Sequence, residues 1–291
     1  MYAKKPLIVA LMAGAAALSV SALAQTPPAA PAAPAAPPVA ATAPLPPGVI
    51  VIDGYKYALP ESAKANLDAT RALIAVSDAL GATRDNSYGG ATHVVLAGTL
   101  DGWEYTGTGT MGGQPAKVVF GVDYRFPAIR MDITRGTARE VIVASGDLAW
   151  DESKPGVYSG PAKTSVQERL VQGYLLPGAV VTFGRQAVDK IKLGNKNGLR
   201  ELTIPVAKMG TDLRATIDAA SHVVHTEMTV GGKVYSADFS GNWTNDGLDW
   251  HIYFPSKIVL KTDGAVTADL NVTEHWANPY LIWPVPAALK K

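Results

Sequence analysis

From Thr92 onward, hydrophobic and polar residues alternate with a period of two. Val118, Phe120, Val122, Tyr124 and Phe126 fall on one side of one such run, and Lys117, Val119, Gly121, Asp123 and Arg125 on the other. Successive side chains of an extended chain point to opposite faces, so the pattern predicts a half-buried strand over 117–126. The alternation returns in Ile129, Met131 and Ile133, in Leu202, Ile204 and Val206, and in Leu213, Ala215 and Ile217. Trp250, Ile252 and Phe254 repeat it, as do Val266, Ala268, Leu270 and Val272. Asp101-Gly102, Gly112-Gly113, Gly231-Gly232, Asp246-Gly247 and Asp263-Gly264 read as the turns between runs, because glycine accepts the positive φ that tight hairpins need. The sum is about ten antiparallel strands.

The period lengthens in two places. Leu73, Val76 and Leu80 recur at spacings of three and four, with Leu67 and Ile74 widening the stripe. Pro60-Glu61 suits a helix start and Gly81 a stop, so a helix is predicted over 61–80. A second helical patch spans 165–190, where Pro177-Gly178 separates Glu168–Leu175 from Ala179–Val188. A sheet with one apolar face must bury that face. The expected fold is therefore mainly β with a few helices (α+β): a single curved antiparallel sheet, or half-barrel, covered by helices. A two-sheet sandwich is the alternative. No composition break divides 49–291, which reads as one domain.

The N-terminus has a different pattern. Lys4 and Lys5 precede the apolar run Leu7–Val20, and Ala22-Leu23-Ala24 offers small residues for cleavage. These features predict a secretory signal peptide over 1–24, since the run is short for a membrane span of roughly 20 residues. Residues 25–48 are almost entirely Pro and Ala, which favour an extended polyproline II spacer over a packed core. A periplasmic or secreted location follows as an expectation.

Charge and cysteine content narrow the chemistry. The chain has 291 residues, with 26 Lys and Arg against 25 Asp and Glu, a net charge of +1. Nothing in that balance favours a nucleic-acid partner. There is no cysteine, so no disulfide-linked partner, thiolate metal site or cysteine nucleophile exists. Gly107-Thr108-Gly109-Thr110-Met111-Gly112 fits the spacing of a dinucleotide loop, but a strand follows where a helix should open, so it reads as a hairpin. If catalysis occurs, the candidates are His225, His251 and His275, which share a strand parity, with Asp249 and Glu227 beside them. Glu104 and the pair Asp151-Glu152 are further carboxylates, the pair placed in a loop by the Lys154-Pro155-Gly156 that follows. Solvated strand positions are the competing reading of these residues. No metal site is assigned and no cofactor is expected. Trp103, Phe120, Tyr124, Phe126, Trp150, Tyr174 and Trp250 are the candidates to line an apolar cavity, with core packing as their other reading.

Two stretches carry a resemblance. Ala138–Trp150, in which a strand ends at Gly146-Asp147 and the next begins with Leu148-Ala149-Trp150, resembles a strand–turn–strand of the periplasmic lipoprotein-localisation (LolA/LolB-like) proteins. Tyr235–Phe239, Phe254-Pro255-Ser256-Lys257-Ile258 and Val266–Val272, closed by Asn278-Pro279, are similar to later strands of the same group. The resemblance implies an antiparallel half-barrel with helices as a lid over a hydrophobic cavity, in a family that carries acyl chains across the periplasm. The leading expectation is a binding or carrier protein for a hydrophobic small molecule or acyl chain. An enzyme acting on an aromatic or polymeric substrate, and an envelope assembly module with an envelope protein partner, are the alternatives.

Overall fold

The computed structural model describes residues 48–53, 55–86, 94–96, 100–245 and 251–290. The expected signal peptide and the linker up to residue 47 lie outside the described residues. Residues 45–291 form a unit of their own. The unit opens with a small sheet made of β1 (Ile50–Ile52), β2 (Tyr55–Tyr57), β3 (Arg84–Asn86) and β4 (Val94–Leu96), in the order β1-β2-β4-β3. Between β2 and β3 runs a 3-10 turn, Glu61–Asn66, followed by α1 (Leu67–Ala79). The helix expected over 61–80 is thus present over Leu67–Ala79, and its expected start is a separate 3-10 segment, divided from it by the non-helical backbone of Asn66 (φ −140°, ψ 56°). Arg71 on its solvent side pairs with Asp53 at 2.9 Å.

The main body is one antiparallel sheet of thirteen strands, where alternation alone gave about ten. A first meander comprises β5 (Gly102–Met111), β6 (Gln114–Asp123), β7 (Ala128–Arg135), β8 (Ala138–Ser145), β9 (Leu148–Lys154) and β10 (Val157–Pro161). Two helices follow, α2 (Val166–Tyr174) and α3 (Pro177–Gln186). A second meander then comprises β11 (Lys192–Lys196), β12 (Leu199–Val206), β13 (Thr211–Ile217), β14 (Val223–Val230), β15 (Lys233–Asn245), β16 (Tyr253–Thr262) and β17 (Ala265–Ala277). The last strand returns to pair with the first long one, β17 with β5, and β10 and β11 are the two unpaired edges. The sheet is not closed. Asp151 and Glu152, read as loop residues, belong to β9.

Glycine governs the seam between the meanders. Gly109 faces Leu270, and a Cβ there would run into the Asp269 carbonyl oxygen. Gly107 and Gly109 therefore lie within β5, and the hairpin turn falls at Gly112-Gly113, both with positive φ. The dinucleotide-like spacing is a strand that must accept a close neighbour.

The helices lie on the apolar face. A Cβ on Gly173 would meet the Val122 and Ile129 side chains at 2.6 and 2.9 Å, and one on Gly178 would meet the Trp103 ring at 3.1 Å. The lack of side chains at these two positions lets α2 and α3 approach β5, β6 and β7 directly. Ser165 caps α2: its hydroxyl accepts from Glu168 N, and the Glu168 carboxylate accepts from Ser165 N. α2 touches β7, β8 and β9 of the first meander and β14 of the second. Its neighbouring residues Glu168 and Arg169 reach opposite meanders. Glu168 accepts from Lys233 Nζ at 2.9 Å and from Tyr235 Oη at 3.1 Å. Arg169, only 2% exposed, donates to the carbonyls of Val143 and Trp150 at 3.1 and 2.6 Å, to Asp151 Oδ1 at 2.5 Å and to Thr164 Oγ1 at 3.0 Å. Thr226 of β14 adds a bond to the Leu175 carbonyl at 2.6 Å. α1 packs on α3 and over β11 and β12, which covers one sheet edge.

A second, smaller cluster lies on the far face, where Val141, Val143 and Trp150 pack with Tyr158 and with Trp283, Val285 and Leu289 of the C-terminal tail. Register puts Glu104, Gly121, Arg130, Val143 and Trp150 in one row across five strands. Trp283 sits on Gly121, where a Cβ would meet its ring at 3.0 Å, and the Arg130 guanidinium lies 6.0 Å from the centre of that ring.

Two measurements test the clasp made by α2. Arg169→Ala leaves Asp151 and two carbonyls buried without their donor, and should lower unfolding free energy by about 3–5 kcal/mol in urea titration. The Lys233 ammonium, the capping bond from Ser165 N and the Tyr235 hydroxyl hold the Glu168 carboxyl at about 2, below its ordinary 4.5, against a smaller opposing effect of burial. A depressed carboxylate contributes stability that is present above its unfolded pKa and lost as pH falls through the folded one. Glu168→Gln should therefore be less stable than the parent at about pH 7, with the difference shrinking below about pH 4.5 and vanishing near pH 2 in matched urea titrations.

Candidate functional site

A cleft of about 340 Å³ lies where three segments distant in sequence meet. Tyr124 and Arg125 come from the turn after β6. Phe183, Gln186, Ala187 and Lys190 come from the end of α3 and the residues after it. Pro205 and Val206 come from the end of β12, and Ala207 and Lys208 from the turn that follows it.

Local chemistry places each wall. Asp123 ends β6 because its Oδ1 accepts from the backbone N–H of Arg125 at 2.8 Å and of Phe126 at 3.1 Å, a turn that mimics a backbone hydrogen bond. Tyr124 is thereby held against the core, its N–H on the Asp101 carbonyl at 2.7 Å. Its hydroxyl lies 3.4 Å from the Gly173 carbonyl, and burial pushes the phenol well above its ordinary range. Pro177 at the start of α3 presets the helical φ, and Phe183 near its end packs edge-on against Tyr174 at 4.7 Å and Tyr124 at 5.9 Å. Burial also pushes the Tyr174 hydroxyl up, to about 12. At β12, the strand stops in a 3-10 turn, Ala207–Met209, closed by Gly210 in the left-handed region.

The rim is cationic. Arg125 is held by Asp123 at 3.1 Å and Asp101 at 3.5 Å. Lys190 and Lys208 are exposed, and among the described residues neither ammonium makes an ion pair or hydrogen bond. An apolar wall with two uncommitted ammonium groups at its edge can hold a molecule that is greasy at one end and negative at the other.

The aromatic candidates separate into four settings. Trp103 and Phe120 are packed in the core: Trp103 stacks on Phe254 at 4.7 Å, and Phe120 stacks on Tyr105 at 5.3 Å. Tyr124 walls the cleft, and Tyr174 lies behind it against Phe183. Phe126, assigned to the apolar face by alternation, is 73% exposed, because the Asp123 turn ends the strand before it. Trp150 is buried on the far face, with its Nε1 donating to Glu152 Oε1 at 2.9 Å. Trp250 lies outside the described residues. Trp103 Nε1 and Tyr174 Oη are buried without a hydrogen-bond partner, each at a cost of about 1–3 kcal/mol.

The titratable candidates do not converge. His225 stands on the solvent face of β14 with Nδ1 2.6 Å from Asp238 Oδ1 and Nε2 3.9 Å from Glu227. Burial raises the Asp238 carboxyl, but Lys261 at 2.5 Å and His225 outweigh it and hold the group below the ordinary carboxylate range. His275 is instead 6% exposed inside the core, its ring 5.4 Å from Phe254 and its Nε2 2.9 Å from the Thr244 carbonyl. A bulge between Val272 and Glu274 inserts one residue into β17 and turns His275 to the apolar face, so shared parity fails. His251 is exposed, with positive φ, in the segment before β16, and Asp249 lies outside the described residues. Among the described residues no three His, Asp or Glu side chains gather closely enough to hold a metal ion. Glu104 lies in the far-face row, where burial raises its carboxyl against the opposing pull of Arg130.

Phe183, Ala187, Lys190, Val206 and Lys208 were not identified from sequence. Phe183 and Ala187 fall in the helical stripe of Ala179–Val188 and Val206 in the alternation of Leu202, Ile204 and Val206, both of which also suit plain packing, and nothing in the sequence marks Lys190 or Lys208. No helix among the described residues is long and apolar enough to cross a membrane. Comparison with protein-family models finds none that matches this chain, and comparison with curated proteins finds no match.

Proposed function

We propose that the protein is a binding or carrier protein for an acyl chain or similar hydrophobic ligand, exported to the periplasm by residues 1–24 and soluble after their cleavage, with the Pro/Ala segment as a spacer. The observation that carries this reading is the cleft between α3, the β6 turn and the end of β12, with Tyr124, Phe183, Pro205 and Val206 as apolar walls. Its volume of about 340 Å³ falls at the lower end of the ~300–1,000 Å³ usual for ligand pockets.

The reading includes a bent sheet. β8 and β14 stand seven places apart in the strand order, yet both touch α2. Seven flat spacings would separate them by roughly 34 Å, whereas a helix with its side chains is about 10 Å across. Curvature into a half-barrel with α2 and α3 in its hollow reconciles the two. The likeness of Ala138–Trp150 and of the later strands to LolA/LolB-like proteins supports the same shape and the same class of cargo. The energetics suit carriage. About eight buried methylenes would supply roughly 6 kcal/mol before the costs of association, enough for reversible capture and release.

Native mass spectrometry of protein purified gently from the envelope fraction tests the proposal. The parent should carry adducts of acyl-chain mass. Ala187→Trp, which puts an indole into the cleft, should arrive bare and should not take up added dodecanoate. A bare parent that binds no added chain overturns the reading.

A further inference from the structure

We infer that the cleft selects single-chain amphiphiles with an anionic head, and that its ligand is a fatty-acid carboxylate. The inference rests on the apolar-ligand reading of the same cleft and adds the chemistry of the head. Three observations carry it.

The first is charge. The titratable residues lining the cleft are Tyr124, Arg125, Lys190 and Lys208, and the tyrosine stays neutral because burial raises it. No carboxylate lines the cleft. A cationic or zwitterionic head would therefore meet two ammonium groups and no counter-charge.

The second is availability. Asp123 and Asp101 already engage the Arg125 guanidinium, the planar fork best matched to phosphate. Lys190 and Lys208 remain, two point charges whose ammonium groups make no ion pair among the described residues. Point charges suit a monoanionic carboxylate without demanding a forked geometry.

The third is size and polarity along the depth of the site. Phe183 and Tyr124 pack on the core, whereas both lysines are exposed at the edge. The arrangement orients a guest with its tail inward and its head at the rim. A volume near 340 Å³ suits one chain and is too small for a diacyl or triacyl lipid.

Titration calorimetry with four probes of equal chain length tests the inference on the mature protein, below the micellar concentration of each probe: dodecanoate, dodecanol, dodecyltrimethylammonium and dodecyl phosphate. Dodecanoate should bind about tenfold more tightly than dodecanol, the scale set by two partly exposed ion pairs. That preference should fall as salt rises. In the double variant Lys190→Gln/Lys208→Gln, the ratio of dodecanoate to dodecanol affinity should drop to about one. In Lys190→Glu/Lys208→Glu, the preference should pass to dodecyltrimethylammonium. These surface changes leave the core untouched, and the second variant reads a gain, which an unfolded protein cannot give. Equal affinity for dodecanoate and dodecanol in the parent overturns the anionic head while leaving the apolar cleft standing. Tighter binding of dodecyl phosphate by tenfold overturns the carboxylate. Failure of all four chains to bind overturns this inference together with the function it rests on.

Discussion

Two adjacent side chains of α2 hold the molecule together. Glu168 is bound to Lys233 and Tyr235 of the second meander, and Arg169 to Val143, Trp150 and Asp151 of the first. A buried guanidinium survives only where its donors are satisfied, so the position of α2 is fixed by polar geometry and not by apolar packing alone. Once α2 is fixed, Gly173 can press against Val122 and Ile129, and α3 follows with Gly178 on Trp103. The end of α3 then meets the β6 turn and the end of β12, and the cleft results from that meeting. The candidate site is thus a by-product of where one short helix is pinned.

The parts of the fold legible in the sequence are those in which one residue type repeats for one reason. β6, β7, β12, β13 and the start of β17 each bury one face, and their alternation is plain. The helix of 61–80 is plain for the same reason, whereas the break expected at Pro177-Gly178 falls at Leu175-Leu176, because a proline fits the first turn of a helix and opens α3 there. β10 and β11 were missed because edge strands are wet on both sides and carry no alternation: nearly every residue of Lys192–Lys196 is exposed. The strands of the small sheet are three residues long, too short for any period to register. The histidines do not share a face for two reasons: His251 lies before β16 with positive φ, outside any strand period, and one inserted residue in β17 reverses the facing of His275 beyond it.

The site was less legible than the fold. Its walls come from a turn, a helix end and a strand end, and no spacing in the chain relates them. Phe183 looks like any core aromatic, and Lys190 and Lys208 look like any solvated lysine. Tyr124 stands out in the sequence by its alternation, and lines the cleft because the Asp123 turn ends the strand there. What marks these residues as a set is convergence alone, which only three-dimensional placement reveals.

The seam between β5 and β17 has a bearing on how the polypeptide matures. It joins the first and the last long strands of the main sheet, and at Gly107 and Gly109 it offers no side chain of β5 to pack against β17. Long-range pairing of this kind is slow, since the entropy of closing the intervening chain is lost before any contact repays it. The thirteen-stranded sheet is therefore complete only once β17 has docked on β5, whatever the order in which the two meanders form.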